Sequence, residues 1–111
     1  MSSDFNIISE LNNDILLMKT DGYINNSGGE KIAQEFSKHA NNVKKVILDL
    51  EKSKVVNSIG ISYLLEIIEN LNQSGGKLFF TNLDPIVEKT FTIMGIFQFA
   101  EKTDSIDSVT S

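Results

Sequence analysis

The stretch between Lys44 and Asn82 constrains the fold most. KKVILDL (44–50) opens with two charges and then runs apolar. A helical stretch covers 58–73 and stops at Ser74-Gly75-Gly76, and KLFFTN (77–82) follows. A strand, a helix that ends on glycine and a second strand predict a βαβ unit. Its strands should be parallel and its crossover right-handed. The apolar run of 44–50 reads as a central strand covered on both faces.

The flanking segments extend this unit. FNIISEL (5–11) and DILLMKT (14–20) are rich in β-formers and are separated by Asn12-Asn13, which predicts a hairpin. Gly22 interrupts the second strand, and Asn25-Asn26-Ser27 offers a helix cap. EKIAQEFSKHA (30–40) then places Ile32, Ala33, Phe36 and Ala40 at helical spacing, and Asn41-Asn42 ends the helix. After KLFFTN, Asp84 and Pro85 open another helix as cap and first residue. Its apolar residues are Ile86, Val87, Thr90, Phe91 and Met94, and Gly95 ends it. IFQFAEK (96–102) reads as a short edge strand, and SIDSVTS (105–111) as one more helical turn or a frayed end. The expected fold class is α/β: a single domain over 1–111, with a mixed sheet of four to five strands and helices in the order ββαβαβαβ(α).

Composition narrows the chemistry. The 111 residues suffice for one core, and 41% of them are apolar. The formal charge of −5 lacks the basic footprint of a nucleic-acid binder, so other proteins are the expected partners. No cysteine is present, which removes thiolate chemistry and cysteine-based metal sites and fits a cytoplasmic setting. MSSDFNIISE has no basic region leading into an apolar core, so no secretory signal is expected, and no apolar run is long enough for membrane insertion. His39 sits near a helix end without acidic sequence neighbours. Asp49 follows an apolar strand like a Walker-type acid, yet no GxxxxGK[ST] loop exists, and a structural place at the strand end is expected. Ser27-Gly28-Gly29 reads as a flexible cap or an anion seat. With no catalytic constellation in the sequence, the expectation is a non-enzyme without metal or cofactor.

The helix at 58–73 carries the candidate site. At about 100° per residue, Ile61, Leu64, Leu65, Ile68 and Leu71 form a core stripe, and Ser62, Glu66, Glu69 and Gln73 face water. Ile59, Tyr63 and Ile67 form a second line between them. That line is either the flank of a wide buried face or, at Ile59 and Tyr63, an exposed contact for a partner. At the helix start, Asn57 and Ser58 can each serve as N-cap. Gly60 permits close backbone approach in the first turn. A phosphate on Ser58 would meet free N–H groups and the positive end of the helix dipole.

Read together, VILDLEKSKVVNSIGISYLLEIIENLNQSGGKLFFTNLDPIVEKTFTIMGI resembles the STAS domain of bacterial anti-sigma factor antagonists. The family has a VILDL-like strand, a short loop and Asp-Ser-Ser-Gly opening an amphipathic helix. A Gly-Gly turn, a strand and a helix ending at Met/Thr-Gly follow. DGYIN (21–25) is similar to the family's Gly-x-Leu-Asp after the second strand. The resemblance spans about residues 5–105.

It implies a cytoplasmic partner-switching regulator of transcription. Its partner would be an anti-sigma factor that is itself a serine kinase, with a serine phosphatase restoring the active form. The phosphorylated serine maps to Ser58; around it, the exposed line on the helix and the preceding junction make Asn25, Asn57, Ser58, Ile59, Gly60 and Tyr63 the expected partner-binding residues. Asn57 and Asn25 stand where the family has Asp, and Ile59 stands where it has a second Ser. These changes remove negative charge beside Ser58 and leave its hydroxyl. The alternative is a STAS scaffold subunit of a signalling or lipid-transport complex, with Ser58 as a helix cap only. A monomer is expected, with a weak dimer as the alternative.

Overall fold

The computed structural model describes residues 5–104 and 106. Strand β1 (Asn6–Asn12) and strand β2 (Ile15–Asp21) form the expected hairpin, turning at Asn13 in the left-handed region. Helix α1 (Asn26–Ser37), strand β3 (Lys45–Lys52), helix α2 (Ser58–Gln73), strand β4 (Lys77–Thr81), helix α3 (Pro85–Ile93) and strand β5 (Glu101–Lys102) complete the order. The sheet runs β1-β2-β3-β4-β5, antiparallel only in its first pair. The described residues form a single α/β domain with a five-stranded mixed sheet and three α-helices.

Right-handed crossovers taken always in one direction place successive helices on one side of a sheet. Burial agrees with this. Leu16, Met18, Val46, Leu48, Leu50, Leu78 and Phe80 of the strands join the buried residues of all three helices in one core. Ile47 belongs to the opposite face, where the register lines it up with Leu17 and Phe79. The apolar run of β3 therefore serves helices on one side, and a row of cross-strand neighbours on the other.

Several boundaries differ from the sequence reading. α1 begins at Asn26 and not at residue 30, because Gly28 and Gly29 are buried packing positions inside the helix and do not form a loose cap. Ala40 falls in a separate 3-10 turn, Ala40–Asn42. β3 runs two residues past Leu50. The expected edge strand at 96–102 is mostly a 3-10 turn, Ile96–Gln98, with strand pairing only at Glu101 and Lys102. Apolar content misleads there: Ile96 and Ala100 are buried, and Phe97 packs edge-on to Phe80 and Phe91 at centroid distances of 6.3 and 6.2 Å. Those contacts need a compact turn, since a strand would send alternate residues to opposite faces. The expected turn at 105–111 lies, Ile106 apart, outside the described residues.

Within α2, Ile61, Leu64, Ile68 and Leu71 are buried as expected, but Leu65 is 36% exposed and Ile67 is buried. The buried stripe is rotated toward the Tyr63–Ile67 flank because α1 packs there, with Gly29 against the Tyr63 ring.

β1 is tied to α1 by Ser9, whose hydroxyl donates to Glu35 Oε2 at 2.5 Å. That bond holds the Glu35 carboxyl below its ordinary value near 4.5. Partial burial opposes the shift, and Lys38 and His39 add to it. A folded-state pKa below the unfolded one contributes stability above the unfolded pKa and loses it as pH falls through the folded value. Ser9→Ala should therefore cost about 1 kcal/mol near neutrality. The difference in melting temperature from the parent should narrow as the pH is lowered toward about 3, below the carboxylate range. A constant difference across that range would count against the Ser9–Glu35 coupling.

Candidate functional site

The ladder between β2 and β3 does not stop at their ends. Gly22 N donates to Lys52 O at 3.0 Å, Ile24 N to Val55 O at 3.0 Å, and Asn57 N to Ile24 O at 3.2 Å. An isolated parallel bridge joins Ile24 to Val56. Below it, the hydroxyls of Thr20 and Ser53, both buried, lie 2.7 Å apart and pin the loop to β2. These bonds bring the two strand-to-helix junctions side by side, beyond the carboxyl ends of parallel strands, where open α/β sheets place binding features.

Asn25 and Asn57 occupy equivalent positions in the two junctions. Asn25 Oδ1 accepts from Gly28 N at 2.9 Å and caps α1, and Asn57 Oδ1 accepts from Gly60 N at 2.8 Å and caps α2. The open choice of cap is thereby resolved in favour of Asn57. Ser58 is the first residue of α2, exposed, and its hydroxyl has no bonding partner among the described residues. Neither helix has an acidic residue in its first turn. The N–H groups of that turn thus lie in a positive local field with no carboxylate of their own helix to offset it.

Two glycines set the spacing. A Cβ on Gly60 would collide with the carbonyl oxygen of Ile24, and one on Gly29 would lie 2.7 Å from Tyr63 Cδ2. The N-terminal ends of α1 and α2 consequently press against each other. Tyr63 is half-buried in that contact, and its hydroxyl donates to Asn26 Oδ1 at 3.3 Å. Ile59 is 49% exposed beside Ser58. Of the second line on α2, Ile59 is therefore surface, Tyr63 is partly so, and Ile67 is core.

All six residues singled out from the sequence lie at this end of the molecule. Sequence reading did not single out Tyr23 and Val55, two exposed apolar side chains that each precede a residue of the parallel Ile24–Val56 bridge. Ile59, next to Ser58 in sequence, is a third exposed apolar side chain on these junctions. The signal was present in β-branched Val55 and Val56 just before a cap residue, but the pairing of that loop with Ile24 could not be read from spacing. Asp49 is structural, as expected: it is buried, and its Oδ1 accepts from Glu51 N and Asn82 Nδ2, both at 3.1 Å. His39 lies 3.8 Å from Glu35 at the end of α1, far in sequence from the capped junctions. The anion seat considered at Ser27-Gly28-Gly29 is occupied by packing: Gly28 lies under the Tyr23 carbonyl. No helix among the described residues is long and apolar enough to cross a membrane.

The STAS domain family model matches residues 6–109. Solved structures with the same fold include an anti-sigma factor antagonist from Mycobacterium paratuberculosis, with a TM-score of 0.79 at 15% identity, covering 95% of this chain and 90% of that one. The Bacillus cell fate determinant SpoIIAA in its phosphorylated form gives a TM-score of 0.74 at 16% identity over 96% of this chain and 97% of that one. RsbS from Moorella thermoacetica gives 0.75 at 18% identity over 91% and 88%. At such identities the likeness is one of fold.

Proposed function

Because the chain belongs to the STAS domain family, we propose that it is a cytoplasmic binding module of the anti-sigma factor antagonist type. It holds an anti-sigma factor that is also a serine kinase, and phosphorylation of Ser58 releases it. A serine phosphatase would reverse the change. The protein itself does no chemistry in this reading. The observation that carries it is the division of labour at the start of α2: Asn57 does the capping, and the Ser58 hydroxyl stays exposed, without a bonding partner among the described residues. The scaffold reading gave Ser58 only the role that Asn57 fills.

Neutral caps suit this arrangement. Asn caps a helix about as well as Asp, so both junctions keep their shape without carboxylates beside the phosphate. A new phosphate would bring about −1.5 to −2 charges to a site already favourable to anions. The fold would hold, and the contact surface beside Ile59 would gain negative charge at the start of α2. The direct test is incubation with the anti-sigma kinase of the same genome and ATP, followed by mass spectrometry of the Ser58 peptide, with Ser58→Ala as control. Phosphate found elsewhere, or nowhere, would leave the switch without its residue.

Ile59 separates binding from folding. Ile59→Asp puts a carboxylate in the first turn, where the helix dipole favours it by about 0.3–1 kcal/mol. Melting temperature should hold or rise while affinity for the kinase drops roughly tenfold or more, the loss of a half-exposed apolar contact plus a desolvated charge. Titration calorimetry alongside thermal unfolding checks both halves. Unchanged affinity would remove Ile59 from the interface.

A further inference from the structure

Along α2, Ser58, Ser62, Leu65 and Glu69 follow one another at intervals of four, three and four residues, on one exposed ridge. From Ser62 onward this ridge walls a groove of about 570 Å³. Its other wall is Phe99, which follows the 3-10 turn after α3. Leu65 and Phe99 are 36% and 53% exposed, so the groove has an apolar interior open to solvent. Glu66 and Glu69 also line it, and among the described residues no basic one does. Neither glutamate has an ion-pair partner among the described residues.

We propose that this groove docks a basic amphipathic helical segment of a protein partner. An aliphatic or aromatic anchor would enter between Leu65 and Phe99, and lysine or arginine side chains beside the anchor would meet Glu66 and Glu69. Charge selects this occupant. The chain carries a net charge of −5. A second copy in two-fold contact would lay Glu66 and Glu69 near their own counterparts, and an anionic membrane would be repelled in the same way. A helix with anchors at i, i+3 or i+4 and basic flanks matches both the length of the ridge and its charge. The site goes beyond the Ser58 switch, because the groove recognises its occupant without using the serine hydroxyl.

The probe is a fluorescein-labelled amphipathic peptide of leucine and lysine, about fourteen residues long, roughly four helical turns. Anisotropy titration of the whole chain should show saturable binding. Amide shift mapping should centre on Leu65–Glu69 and Phe99. Leu65→Ser, and separately Glu66→Lys with Glu69→Lys, should each weaken binding roughly tenfold or more. A control peptide with serine in place of leucine should lose as much. Ser58→Asp should leave peptide affinity within about threefold, since an extra negative charge one turn away does not repel a basic peptide. That outcome separates this site from the switch: either can fail alone. Absence of saturable binding, or shifts centred elsewhere, overturns the proposal. So does a dimer of the chain that Leu65→Ser abolishes, which would assign the groove to a second copy.

Discussion

Ser58→Asp should bind the anti-sigma kinase at least roughly a hundredfold more weakly than Ser58→Ala, at almost unchanged stability. The reasoning starts from position. Residue 58 is the first residue of a helix whose cap is already supplied, so neither substitution removes a structural hydrogen bond. An aspartate there gains a few tenths of a kcal/mol from the helix dipole. In the proposed complex the same charge would be pressed against the partner beside Ile59, an exposed apolar side chain in the free protein. Enclosing an unpaired charge in such a contact costs several kcal/mol, and each 1.4 kcal/mol is tenfold in affinity. A phosphoryl group, with more charge and bulk, should act more strongly still. Calorimetric titration of the kinase with the two variants decides the matter. Equal affinities would reduce the site to a binding surface without a switch.

Gly60→Ala should cost about 3 kcal/mol of folding stability, against about 1 kcal/mol for Gly29→Ala. Each adds one methyl group to a buried first turn, but the obstacles differ. At Gly29 the methyl meets Tyr63 Cδ2 at 2.7 Å and Cβ at 3.1 Å. The ring must turn, giving up its 3.3 Å bond to Asn26, and α2 must yield by a few tenths of an ångström, with no backbone hydrogen bond in the way. At Gly60 it meets the backbone of Ile24, whose carbonyl oxygen accepts from Asn57 N. Relief there requires the two junctions to move apart, against the helical gain of about 1 kcal/mol that alanine brings over glycine. The same movement would separate Asn25 from Asn57 and distort the ground on which Ser58 stands. Urea denaturation of both variants measures the contrast. Equal losses would mean that the Gly60 contact relaxes without cost.

Legibility tracked the presence of local signals. α2 was read from 58 to 73 because a cap residue marks its start and Ser-Gly-Gly marks its end, and those are its observed limits. α3 was equally plain, since Asp84 caps it and Pro85 opens it. What failed depended on tertiary contacts. The two glycines of α1 look like a helix breaker until Phe5, Tyr23 and Tyr63 are seen packed against them. Leu65 and Ile67 differ by less than one turn, and only the position of α1 decides which of them is buried. Asn57 and Ser58 are both good caps by residue type, so which one caps emerges only from the backbone path that Ile24 imposes. The neighbourhood of Tyr23 and Val55 was invisible for the same reason, because a single bridge between two loops creates it.

The sheet order also bears on how the chain emerges from the ribosome. Each strand pairs with the one made just before it: Ile15 with Asn12, Lys45 with Ile15, Lys77 with Lys45 and Glu101 with Phe79. Among the described residues no strand waits for a partner from much later in synthesis, so the domain can be laid down from its N-terminal end as translation proceeds. Each added unit covers the strand edge left by the last, and an uncovered edge is the usual template for wrong pairing between nascent chains. Among the described residues the last strand to join is β5, whose two residues offer only a short edge.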